Sequence, residues 1–135
     1  IPETIDADHL KKQLLFFTDS KGFSIEKLSY NFISRDQMFQ MNVEYLNHDT
    51  DTDILTFDYS VSESLIAEIF ISLWAIRDSA KKYAQTIENE LIRAVSHGLL
   101  HCLGYNDKSE AEKMMMRKLE DEFIELFHVK PLTDV

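Results

Sequence analysis

The sequence is poor in the residues that staple or punctuate a chain. Its 135 residues include one cysteine, two prolines and three glycines. A lone cysteine, Cys102, cannot close an internal disulfide, so nothing points to an oxidising compartment. The scarcity of glycine and proline excludes collagen-like, linker-rich and low-complexity classes. It also leaves little turn chemistry for an all-β sandwich or barrel. Basic residues are the minority: 14 Lys and Arg against 24 Asp and Glu give a formal net charge of −10. That argues against a broad electrostatic grip on a phosphate backbone, while leaving room for a local basic patch. No apolar run approaches the roughly 20 residues of a membrane span, and no signal-peptide pattern opens the chain. The expectation is a cytoplasmic protein of one domain, residues 1–135, without a membrane partner.

What is present reads as alternating helices and strands. Leu10, Leu14 and Phe17 form an apolar stripe on a first helix over 8–17. Residues 23–33 alternate and are rich in strand formers. Ser34 with Gln37 forms a capping box opening a second helix. Short strands are predicted at 54–59 and 65–72, the second apolar enough for a central position buried on both faces. A third helix covers 73–84. Thr86 caps a fourth running to about Leu103, and Ser109 with Glu112 opens a last helix to Phe127 on which Met115 and Leu119 face the core. The fold class is therefore α/β (α+β): a small mixed β-sheet of about four strands covered by about five helices.

The chemistry concentrates at the end of the fourth helix, in His97-Gly98-Leu99-Leu100-His101-Cys102-Leu103-Gly104-Tyr105-Asn106-Asp107. Residues four apart on a helix project from one face, so His97 and His101 can share a metal ion. Gly104 stands where the helix would end in a left-handed turn, which only glycine adopts cheaply. The chain can then double back and bring Asp107 in as third ligand. Three protein ligands leave a coordination position open, as in catalytic rather than structural sites. Gly98 occupies the place where H-E-x-x-H peptidases carry their general-base glutamate, so proton transfer would fall to metal-bound water, and Gly98 is free to serve a close approach. Arg77, Lys81 and Lys82, and separately Lys113, Arg117 and Lys118, are basic clusters that fit either RNA phosphates or a solvated helix face. Cys102 points away from the histidine face and reads as a buried thiol, and Glu90 reads as a contact to another element rather than a ligand.

In these residues the sequence resembles the YbeY family of bacterial endoribonucleases and rRNA maturation factors. The family hallmark, close to H-G-x-L-H-L-x-G-Y-D-H, stands here as HGLLHCLGYND. The upstream segment N-x-x-Y-R-x-x-D-x-x-T-D-x-L-S-F is matched by Asn42, Tyr45, Asp49, Thr52, Asp53, Leu55 and Phe57, and the G-D-I-x-I-S strand by residues 67–72. Three positions depart: Asp107 for a histidine, Ala67 for a glycine, and Leu46 for an arginine associated with RNA binding or catalysis. The resemblance implies a metal-dependent endoribonuclease acting on single-stranded RNA in rRNA processing, with the small ribosomal subunit and its proteins as partners and no DNA substrate. It implies one divalent ion on His97, His101 and Asp107. Zinc suits this donor set best, with nickel, iron or manganese as other fits. It also implies a substrate groove that includes Asn42, Thr52 and Asp53, and the basic cluster at Arg77 adds Arg77 to that groove. A non-catalytic assembly factor with a structural metal is the alternative, and a metzincin-like peptidase is disfavoured by Gly98.

Overall fold

The computed structural model describes residues 5–46 and 54–128. Capping chemistry sets its helix boundaries. Asp6 accepts the amides of Asp8 and His9 and opens α1 (Ala7–Ser20). Ser34 and Gln37 bond reciprocally at 3.0 and 3.2 Å ahead of α2 (Arg35–Leu46). Ser72 caps α3 (Leu73–Lys82), and Thr86 caps α4 (Ile87–Cys102). Ser109 and Glu112 repeat the reciprocal pair at 2.9 and 3.1 Å and open α5 (Glu110–His128). The Ser109 amide holds the Glu112 carboxyl below the usual carboxylate range.

The strands are β1 (Ser24–Ile33), β2 (Ile54–Asp58) and β3 (Ser64–Ser72), in the order β1-β3-β2. β1 runs parallel and β2 antiparallel to β3, so the sheet is mixed as expected. It has three strands among the described residues rather than about four. Every segment rich in strand formers is present, and the other described segments are helices or turns apart from an isolated Val61–Ser64 bridge. A second correction concerns β3. It is central, but only one face is sealed: Leu65, Ala67, Ile69 and Ile71 are buried while Glu68, between them, is exposed. The apolar run hid an alternation that the sheet's outer face still obeys.

Helix α4 lies on the sealed face. Its Leu91, Ile92, Val95, Leu99 and Leu100 are each no more than 1% exposed. α5 packs along α4, and α1 closes the core against α5 and β1, with Phe17 edge-on to Phe123 at 5.4 Å. The α5 stripe is Met116, Leu119, Glu120, Phe123 and Phe127. Met116, not Met115, is therefore the core methionine, and Met115 is half exposed. Both lie within a turn of Leu119, but only Met116 is in phase with Phe123 seven residues on.

Gly98 brings α4 close to the sheet. A Cβ there would stand 3.0 Å from both Cδ1 and Cγ2 of Ile69. Overpacking of this kind costs about 1–3 kcal/mol and alanine's helix propensity returns about 1. Gly98→Ala is expected to lower stability by about 1 kcal/mol in chemical denaturation. Adding Ile69→Val, which removes the Cδ1 methyl, should recover part of that loss. If the two losses simply add, the contact is not the reason for the glycine.

Candidate metal centre

One stripe of α4 carries Glu90, Arg93, Ala94, His97 and His101 into a cleft of about 580 Å³. The helix ends in a Schellman motif: the Tyr105 amide donates to Leu100 O at 3.0 Å and the Gly104 amide to His101 O at 3.1 Å. Gly104 has φ +98°, as this turn requires, and Tyr105 packs onto the core beside the helix end. The reversal returns the chain over the histidines. Asp107 Oδ2 stands 3.3 Å from His97 Nε2 and 3.5 Å from His101 Nε2, and the two Nε2 atoms are 3.0 Å apart.

This triangle suits a metal ion. Ligands about 2.0–2.1 Å from a tetrahedral zinc lie about 3.3–3.4 Å from one another, close to the three separations observed. Among the described residues these three are the His, Cys, Asp and Glu side chains that converge in this way, and each is half-buried. Two imidazoles and one carboxylate form a borderline donor set that fits zinc and its first-row neighbours. Cys102 takes no part: it is buried, and burial, with the Asp58 charge adding, pushes its thiol up to about 12.

A residue that sequence reasoning missed completes the site. Glu120 of α5, 5% exposed, accepts at 2.7 Å from His97 Nδ1 through one oxygen and at 2.9 Å from Arg93 Nη1 through the other. A carboxylate only accepts, so the Nδ1 of His97 carries the proton and the Nε2 lone pair is turned toward Asp107 and His101. Arg93 also donates to Asp121 at 2.7 Å. Burial works against its charge, but the bonds from Asp121 and Glu120 outweigh that and raise it above its ordinary value. The signal for Glu120 was present: it is a charged residue inside the apolar stripe between Met116 and Phe123.

The cleft is lined further by Ile54 and Thr56 of β2, Ile76, Ser79 and Tyr83 at α3, and Arg117 of α5. Glu90, read as a contact to another element, is buried and lines the cleft two turns before His97. Of the residues expected in a substrate groove, Asn42 is fully buried and its amide donates to Met38 O at 2.8 Å within α2. Arg77 is exposed, and neither it nor Asn42 is among the residues lining the cleft. Thr52 and Asp53 lie outside the described residues, as does the side chain of Leu46. From the second basic cluster, Arg117 reaches the cleft.

Against known proteins, the model of the family described as Endoribonuclease YbeY matches residues 3–128. The chain belongs to the YbeY family. A curated YbeY endoribonuclease of Flavobacterium johnsoniae is 45% identical over 104 residues, covering 77% of this chain and 75% of the relative. One from Karelsulcia muelleri is 35% identical over 122 residues, covering 90% and 85%. A Thermotoga maritima protein solved in solution superposes with a TM-score of 0.67 at 24% identity, over 89% of this chain and 79% of its own, and is similar in fold. The YbeY match spans both histidines, Asp107 and Glu120, so the whole centre described above lies inside the family's domain.

Proposed function

We propose that residues 1–135 act as one metal-dependent endoribonuclease domain that cleaves single-stranded RNA in the cytoplasm during rRNA maturation, with the small ribosomal subunit and its proteins as context. His97, His101 and Asp107 hold one divalent ion, zinc in preference to nickel, iron or manganese. The observation that carries this reading is the convergence of three ligand atoms at an open cleft in a chain of the YbeY family. A dication held there supplies a Lewis acid for a scissile phosphate and lowers the pKa of water toward about 7.

The chain's own residues supply the rest. Glu120 keeps the Nδ1 proton on His97 and fixes its ring, and Arg93 fixes Glu120 in turn. Asp107 contributes a negative charge that a third histidine would not. The peptidase alternative lacks its base: Gly98 stands where that glutamate would be, and a Cβ there would already press on Ile69 of β3. An open coordination position facing a cleft also favours hydrolysis over a closed structural site.

The test is cleavage of a single-stranded rRNA fragment by the purified protein, before and after chelation and with divalent metal added back. Loss on chelation and recovery with zinc or a neighbouring metal is expected, with duplex DNA and peptides left intact. Cleavage indifferent to the chelator would overturn the reading.

A further inference from the structure

We propose that Arg117 and Tyr83 form a nucleotide subsite beside the triad, in which Arg117 holds an RNA phosphate and Tyr83 stacks an unpaired base. The proposal rests on the nuclease reading above and names the substrate contacts that reading leaves unassigned. α3 and α5 both pack on α4, so they flank the stripe that carries His97 and His101. Each contributes one exposed side chain suited to RNA: Tyr83 from the end of α3 and Arg117 from α5.

The two cations lining the cleft among the described residues are not equivalent. Arg93 is committed to Glu120 and Asp121. Arg117 has no ion pair or hydrogen bond among the described residues, so its guanidinium is available as a bidentate phosphate donor. The charge of the lining supports that use. Among the described residues of the lining, three carboxylates (Glu90, Asp107, Glu120) face two guanidiniums (Arg93, Arg117), a formal −1 that a bound dication turns to +1. On a chain of net charge −10, metal loading therefore shifts this lining toward attracting a polyanion.

Tyr83 is held out by the backbone. α3 ends in a Schellman turn in which Gln85 N donates to Ala80 O at 2.9 Å and Ala84 takes the left-handed position at φ +51°. Alanine is disfavoured there, and the turn fixes Tyr83, 63% exposed, at the cleft rim. An exposed ring with a wet hydroxyl edge is a stacking platform for any base, whereas a duplex has its bases already stacked.

The experiment uses the zinc-loaded protein and a labelled single-stranded oligoribonucleotide, with anisotropy and initial cleavage rates read across a salt series. Arg117→Ala should weaken binding about five- to tenfold at low salt and flatten the log–log salt slope by about 0.7, the value of one phosphate on a single strand. Arg117→Lys should keep the slope. Tyr83→Ala should weaken binding at least about fivefold with the slope unchanged, and Tyr83→Phe should restore it. Thermal melting and zinc content are read in parallel. An Arg117→Ala protein that keeps wild-type affinity and slope, or that loses zinc together with RNA, would overturn the subsite. A wild type that binds RNA without cleaving it would instead overturn the nuclease reading, and the binding arm would still decide the subsite.

Discussion

Replacing His101 by alanine is expected to remove the metal and at least about a thousandfold of RNA cleavage, since a Lewis acid contributes several kcal/mol to a phosphoryl transition state and each 1.36 kcal/mol is tenfold. The remaining pair, His97 and Asp107, is too few to hold a first-row dication firmly. The fold should survive: the His101 side chain is 31% exposed and lies outside the core. The clean readout is therefore thermal stability with and without zinc. Zinc should raise the melting temperature of the wild type by mass action on the folded state and leave His101→Ala unmoved. A variant that melts earlier without metal but still responds to zinc would place the ion elsewhere.

Glu120→Gln is the second large effect, and it arises a helix away from the ligands. The carboxylate serves two donors with two oxygens, His97 Nδ1 at 2.7 Å and Arg93 Nη1 at 2.9 Å. An amide of the same shape has one acceptor oxygen, so one donor must face an NH₂ group. If Arg93 keeps the oxygen, His97 loses the partner that sets its tautomer. Zinc affinity should fall about 10- to 100-fold. Leaving one buried donor unsatisfied should cost about 1–3 kcal/mol of stability, the smaller end because Arg93 retains Asp121. Competition with a chromophoric chelator measures the first and chemical denaturation the second. Unchanged zinc affinity would mean that the His97–Glu120 bond does not orient the ligand.

Local features were legible in the sequence because their physics is local. Ser34 with Gln37, Thr86, and Ser109 with Glu112 each cap the helix they were read to cap. The histidine spacing and Gly104 hold within about two turns of chain, so the triad follows from helix geometry and one left-handed residue. What depends on how helices pack was not legible. Glu120 meets His97 only because α5 lies along α4. Met116 displaces Met115 from the core for the same reason: the contact face, not the nearest apolar neighbour, sets the phase. Asn42 and Arg77 also take their surroundings from how α2 and α3 are placed. The Asn42 amide donates to Met38 O within its own helix. The cleft takes Ile76 and Ser79 from α3 and Tyr83 from its C-cap, in helical phase, which leaves Arg77 about 100° around the helix from Ile76.

The central claim is that two histidines and an aspartate, returned over them by a Schellman turn, hold one metal ion. Element-specific analysis of the protein purified without chelator, run beside His97→Ala, tests it most directly. About one divalent transition-metal ion per chain in the wild type and none in the variant is the expected result, as a three-ligand site that loses one ligand should no longer retain its ion. Equal metal content in the two proteins, or none in either after incubation with zinc, would contradict it.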